Sequence, residues 1–220
     1  LDVKSAFLNG YLDEDIYMSL PREYSLPNGT ACKLKRSIYG LRQAPPAWNK
    51  RLTDDLQLSG FQPLINAESV FSSIIDKSVV YLIIYLDDIL VVTASELALT
   101  KAKTLLSELY KIKDLGNAEY FLGVKIEREH KQVKLTQESY TRGVLERYGM
   151  FESKPTSTPM VQSSDLMLKS PCSESDAKRM VGVPYREAIG SLLFLAVRTR
   201  PEIAVAVSIL SKHVQCPRPC

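Results

Sequence analysis

Asp87 and Asp88 stand side by side within Val79 to Val92, V-V-Y-L-I-I-Y-L-D-D-I-L-V-V, the longest apolar run of the chain. Adjacent ionised carboxylates between apolar flanks repel each other, and burial raises their pKa unless a cation compensates. Mg2+ is such a cation, taking oxygen ligands octahedrally from one or two carboxylates, water and substrate phosphates. Two such ions about 4 Å apart activate an attacking oxygen and stabilise a leaving one. A solvated acidic turn is the competing reading, because Asp is common in turns. Yet a two-residue hairpin turn prefers Gly or Asn where φ is positive. The hairpin alone leaves both readings open. A metal site requires another carboxylate from a second strand, and Asp2, in L-D-V-K-S-A-F-L-N-G, is the candidate.

The elements around these acids follow from residue periodicity. The two halves of the apolar run, joined through the Asp pair, read as a β-hairpin, with Ser69 to Asp76 as a third strand of one antiparallel sheet. Leu99, Ala102, Leu106 and Leu109 share one face of a helix that begins near Ser95-Glu96. Ala44-Pro45-Pro46 followed by Trp48, Leu52 and Leu56 predicts a proline-initiated helix ending near Gly60. Tyr120 to Glu127 and Val133 to Leu135 form a second hairpin. The class is α+β, with helices on one face of an antiparallel sheet of the split βαβ kind. From Gln137 onward Tyr140, Val144 and Tyr148 share a helical face, and Ser153 to Ser175 is a linker rich in Ser, Pro and Thr. Tyr185 to Val197 reads as an apolar helix, and T-R-P-E at Thr199 to Glu202 as a capping box for a further helix.

The totals narrow the classes. The 220 residues, 45% apolar and 24% charged, suffice for a sizeable core, and a net charge of +3 permits a nucleic-acid partner without requiring one. Asp87 and Asp88 interrupt the apolar run, so no window offers the roughly 18 uncharged residues of a membrane span. The four cysteines are too sparse for a secreted disulfide framework and fit a reducing compartment. His213, Cys216 and Cys220 could supply three zinc ligands, but no fourth is evident, and unpaired thiols are the simpler reading.

Four motifs now fall into order: L-D-V-K-S-A-F-L-N-G (Leu1 to Gly10), Y-G-L-R-Q-A-P-P-A-W (Tyr39 to Trp48), Y-L-D-D-I-L (Tyr85 to Leu90) and Y-F-L-G-V-K-I (Tyr120 to Ile126). Together with Tyr185 to Ala204 they make the chain resemble the reverse transcriptases of copia-type LTR retrotransposon Pol polyproteins. The resemblance implies a polymerase palm with partial fingers over residues 1–130, a thumb-like helix and linker over 131–175, and a helical thumb or connection segment over 176–220. It implies two Mg2+ ions, with Mn2+ as a substitute, held by Asp2, Asp87 and Asp88 with Val3 beside them. The 85 residues between Asp2 and Asp87 then require neighbouring strands in one sheet. The implied reaction is attack of a primer 3′-hydroxyl on the α-phosphate of a deoxynucleotide.

The resemblance also distributes binding roles. Val3, Lys4, Ser5 and Ala6 would cradle the triphosphate, and Phe7 resembles the steric gate that excludes a ribose 2′-OH. Its competing reading is a core Phe. Tyr39, Gly40 and Gln43 would lie beside the nucleotide. Arg36 and Arg42, in a basic cluster with Lys33 and Lys35, would contact nucleic-acid phosphates, although a solvated basic face explains the two lysines equally well. Phe121, Leu122, Gly123 and Val124 resemble the primer grip. Lys111 or Lys113 is a candidate general acid toward pyrophosphate. Pro46 departs from the family's usual Arg and removes one cation from the second box. Implied partners are an RNA or DNA template with primer, deoxynucleotides, and the RNase H and integrase domains of a parent polyprotein, in an intracellular setting, either a cytoplasmic particle or the nucleus. The expectation is a fragment lacking its N-terminal fingers and ending before RNase H. The alternative is a non-catalytic remnant that retains nucleic-acid binding.

Overall fold

The computed structural model describes residues 1–20, 31–130, 132–160 and 174–217. The chain divides into two compact units, Leu1–Ala118 and Glu119–Cys220.

The first unit is built on an antiparallel sheet whose strand order is β4-β5-β6-β7-β1-β8. These strands are β1 (Asp2–Val3), β4 (Gln62–Leu64), β5 (Ala67–Ile75), β6 (Ser78–Tyr85), β7 (Asp88–Thr93) and β8 (Ile112–Lys113), while β2 (Tyr17–Ser19) and β3 (Ala31–Lys33) pair separately. Val80, Leu82 and Ile84 on β6 are buried, while the alternate Val79, Tyr81 and Tyr85 are exposed. That period of two divides the sheet into a covered and an open face. The cover is made by α1 (Ala44–Leu58) and α2 (Glu96–Leu109). Trp48, Leu52 and Leu56 of α1 join Ala98, Ala102 and Leu106 of α2 in one core with Phe71, Val80, Leu82 and Ile89 of the sheet. The expected α+β arrangement, with helices on one face of an antiparallel sheet, is therefore present.

Both helices begin as their residues dictate. Prolines at the start of α1 lose nothing, because the first N–H groups of a helix have no internal partner. Pro46 fits this first turn for the same reason. Ser95 caps α2 by accepting the N–H of Ala98 at 3.3 Å.

In the second unit β9 (Tyr120–Phe121), β10 (Val124–Glu129) and β11 (Gln132–Thr136) make a three-stranded antiparallel sheet. α3 (Glu138–Arg147) follows with Val144 buried, then α4 (Glu174–Arg179), α5 (Tyr185–Arg198) and α6 (Ala204–Ser211). Ile189 and Ala196 of α5 and Val207 of α6 form a second core. Among the described residues no helix is long and apolar enough to cross a membrane.

Two expectations are corrected. Thr199 does not cap the last helix: it ends α5, a short 3-10 turn (Pro201–Ile203) intervenes, and its hydroxyl donates to Oε1 of Gln137 at 2.8 Å. A polar pairing across 62 residues of sequence outcompetes the local cap. Cys216 is disulfide-bonded rather than a free thiol, while Cys32 is free. Lys113 lies on strand β8 and Lys111 just before it, two residues past the end of α2. Cys220 and most of the Ser/Pro/Thr-rich stretch lie outside the described residues.

Candidate active site

Tyr85 and Asp88 are paired residues of β6 and β7, so the two turn residues are Leu86 and Asp87. This corrects the expectation that Asp87 and Asp88 together form the turn: Asp88 is the first residue of β7. Leu86 takes the positive φ, +55°. A non-glycine residue held there costs on the order of 1–3 kcal/mol and persists only when its surroundings over-determine it. The surroundings do so here. Nε1 of Trp48 donates to the Leu86 carbonyl at 2.8 Å, and the N–H of Val3 donates to the Asp87 carbonyl at 2.8 Å.

β1 completes the acidic group. Asp2 is the direct partner of Asp88 on one side and of Lys113 on the other. Directly opposed residues of antiparallel strands share a face. Tyr85, Asp88, Asp2 and Lys113 therefore form a row across four adjacent strands, on the face opposite α1 and α2. Burial first, then the negative charges of Asp87 and Asp2, holds the Asp88 carboxyl above its ordinary value. Among the described residues no three His, Cys, Asp or Glu side chains are disposed to hold a metal ion. What the donor set has in common is hard carboxylate oxygen with unfavourable mutual charge, which is the chemistry Mg2+ relieves.

Residues 1–162 match the profile of the family described as reverse transcriptase (RNA-dependent DNA polymerase). The chain belongs to the reverse transcriptase family. It is similar to the retrovirus-related Pol polyprotein from transposon TNT 1-94 of Nicotiana tabacum, 38% identical over 99% of this chain and 17% of that protein. The Pol polyprotein from transposon RE1 of Arabidopsis thaliana is 38% identical over 99% of this chain and 14% of its own length. A putative transposon Ty5-1 protein of Saccharomyces cerevisiae is 30% identical over 99% of this chain and 70% of its own. The chain thus spans about a sixth of the length of the two plant polyproteins. No solved structure matches it. The expected copia-type reverse transcriptase kinship holds.

Within this reverse transcriptase chain the remaining candidates fall as follows. The N–H groups of Val3 and Lys4 donate to the carbonyls of Asp87 and Lys111, so these two backbone donors are already engaged, while the Lys4 side chain is exposed. Ser5, at φ +54°, and Ala6 follow. Phe7 lies in the 3-10 turn Ala6–Asn9, packs partly against the core, and meets the ring of Tyr39 at 4.8 Å between centroids. The first and second boxes are thereby in contact. Gly40 has φ +93°, and a Cβ there would meet nothing of the chain within 4 Å, so its requirement is conformational. Gln43 sits at the start of α1, and Arg42 is exposed.

Arg36 is already engaged: its guanidinium lies 5.1 Å from the ring centroid of Tyr11, and Arg51 lies at the same distance from that ring. Lys33 pairs with Asp15 at 2.6 Å. Phe121, Leu122, Gly123 and Val124 form a two-residue hairpin turn in the second unit, with Leu122 at φ +51° and Gly123 at +78°.

Residues that sequence reasoning passed over tie the boxes together. Gly10 lies so close to its neighbours that a Cβ would sit 2.8 Å from Ser37 Oγ and 2.9 Å from Trp48 N. Ser37, fully buried, donates its hydroxyl to the Phe7 carbonyl and its N–H to Gly10. Trp48 is a core residue, as its helical spacing predicts, and its indole N–H reaches the hairpin turn through the Leu86 carbonyl. That the chain contains one tryptophan, placed in the second box, was the available signal.

Proposed function

We propose that residues 1–130 are the palm, with partial fingers, of an RNA-directed DNA polymerase, and that Asp2, Asp87 and Asp88 are its catalytic carboxylates. The observation that carries this reading is the pairing of Asp2 with Asp88 beside the turn that bears Asp87. Two bound Mg2+ ions would supply activation of the primer 3′-hydroxyl and neutralisation of charge on the transferring phosphoryl group. Asp2 and Asp87, with the backbone of Val3, would be their principal holders, and Asp88, paired with Asp2, would complete the acidic group. The reaction forms a bond between the primer 3′-oxygen and the α-phosphorus and breaks the bond to the bridging oxygen of pyrophosphate.

The chain's own residues supply positioning and a proton. Lys113, beside Asp2, is the better-placed general acid toward the leaving pyrophosphate, with Lys111 two residues away. Ser5 and Ala6 present backbone to the triphosphate, and Phe7 backed by Tyr39 presents a ring to the sugar. Gly40 and Gln43 lie beside the nucleotide, while Arg42 and Arg36 contact backbone phosphates without reading sequence. Phe121 to Val124 hold the primer end. Residues 131–175 and 176–220 are thumb and connection segments, and the nucleic-acid partner is a primed RNA or DNA template. RNase H and integrase domains are the further partners expected in a polyprotein.

Primer extension on an RNA template with Mg2+, comparing the chain with Asp87→Asn, tests the reading. Extension lost in the variant supports it. Hybrid binding without extension by the unaltered chain identifies a remnant instead. In an active chain Phe7→Ala admits ribonucleotides, and unchanged discrimination removes Phe7 from the site.

A further inference from the structure

We propose that Trp48 is a positioning residue for the catalytic turn, its indole N–H holding Leu86 in the conformation that presents Asp87. This deepens the polymerase reading above and rests on it for its kinetic arm. The need for such a residue lies in the turn. Leu86 occupies a positive φ of +55°, a position that glycine adopts freely and leucine does not. Packing does not hold the turn, because the Leu86 side chain is 44% exposed and Trp48, Tyr85 and Leu86 border a cavity of about 210 Å3. Hydrogen bonds therefore fix it. The turn offers two carbonyls, and both are taken: Asp87 by the N–H of Val3 and Leu86 by Nε1 of Trp48, each at 2.8 Å.

The indole is itself immobile. Trp48 is 1% exposed, and its ring meets Tyr110 edge-on at 4.9 Å. The Tyr110 hydroxyl donates to Asp55, which Arg51 also engages at 2.8 Å. Gly10 closes against the backbone N of Trp48 from the other side. α1 thus anchors one end of a rigid strut whose other end is the turn carrying a catalytic carboxylate. A buried indole N–H requires an acceptor, and here that acceptor is the carbonyl of the turn residue directly before Asp87.

Two measurements on the full chain test this. In primer extension with Mg2+, Trp48→Phe keeps the ring and loses the donor. The turnover rate falls by about tenfold to a hundredfold with KM for primer-template unchanged, because a small misplacement of a reacting group has that effect. In a Leu86→Gly background, where the turn needs no holding, the same change lowers the rate by less than about threefold. Equal losses in the two backgrounds make Trp48 a merely structural residue and overturn the proposal.

The second measurement does not depend on extension. Because Trp48 is the single tryptophan, its 15N-labelled indole gives one resonance. Titrating Mg2+ shifts that resonance in the unaltered chain and leaves it in place in Asp87→Asn. An unmoved resonance in the unaltered chain overturns the proposal. A moved resonance in a chain that extends no primer supports the coupling and overturns only the polymerase reading.

Discussion

Asp2 and Asp88 face each other as direct cross-strand partners between β1 and β7, with Lys113 as the other neighbour of Asp2. Like charges directly opposed on neighbouring strands are destabilising, by roughly 0.2–1 kcal/mol at a solvent-reached position. Asp2 has the compensating Lys113 and Asp88 is the carboxylate whose charge burial and its acidic neighbours disfavour, so Asp88→Asn raises the melting temperature of the chain in EDTA. The same variant loses the stabilisation that millimolar Mg2+ gives the unaltered chain, since a ligand that binds only the folded state stabilises it. Thermal melts with and without Mg2+ check both halves.

Gly10 is enclosed on three sides by Ser37, Ala47 and the backbone of Trp48. Its φ of −69° suits any residue, so the constraint is space alone. Gly10→Ala forces apart the contact between the first box and α1, at about 1–3 kcal/mol by analogy with other overpacked sites. Urea unfolding shows this as a lower midpoint at unchanged m-value.

Gln137, 5% exposed, has its Oε1 served by Thr199 and its Nε2 without a partner. Thr199→Val strands the whole amide and destabilises the second unit by about 1–3 kcal/mol. Adding Gln137→Met to Thr199→Val restores most of that loss, because removing both polar partners is nearly neutral where removing one is not. A double-mutant cycle by chemical denaturation measures the coupling.

Asp114 accepts from Lys103 at 2.9 Å and from the N–H of Gly116 at 2.9 Å, and these bonds, the lysine's first, hold its carboxyl below the usual value. A depressed folded-state pKa means stability that is present above the unfolded value near 3.9 and lost as pH falls through the folded one. Asp114 is largely exposed, so screening limits the contribution to less than about 1 kcal/mol. Asp114→Asn is accordingly slightly less stable than the unaltered chain at pH 7 and converges with it below about pH 4. Denaturation midpoints across that range check the sign.

What was legible in the sequence was whatever repeats at short range. Trp48, Leu52 and Leu56, and Ala98, Ala102 and Leu106, announce their helices by spacing, and those residues are the buried ones. The alternation through Val79 to Tyr85 announces a strand with one wet face. The kinship was legible because four short motifs keep their order. What failed was local inference about groups whose partners are remote. T-R-P-E looked like a cap because Gln137, 62 residues away, could not be seen to compete for Thr199. The turn was placed one residue late, since a positive φ at leucine is what turn statistics disfavour and only Trp48 and Val3 make it tenable. Lys113 could not be set beside Asp2 before the strand order was known.

The place of β1 in the sheet has a kinetic consequence. The hairpin of β6 and β7 closes through a two-residue turn, whereas β1 lies between β7 and β8 and pairs Asp2 with Asp88, far away in sequence. Local pairing is fast, and pairing across a long stretch of chain is slow because the loop entropy is lost before the contacts that offset it form. Two of the three acids are set by the hairpin, and the third arrives only with the closing strand. Cation binding at these acids would therefore report the completed topology, and chains caught before that step would carry a finished hairpin and no metal affinity.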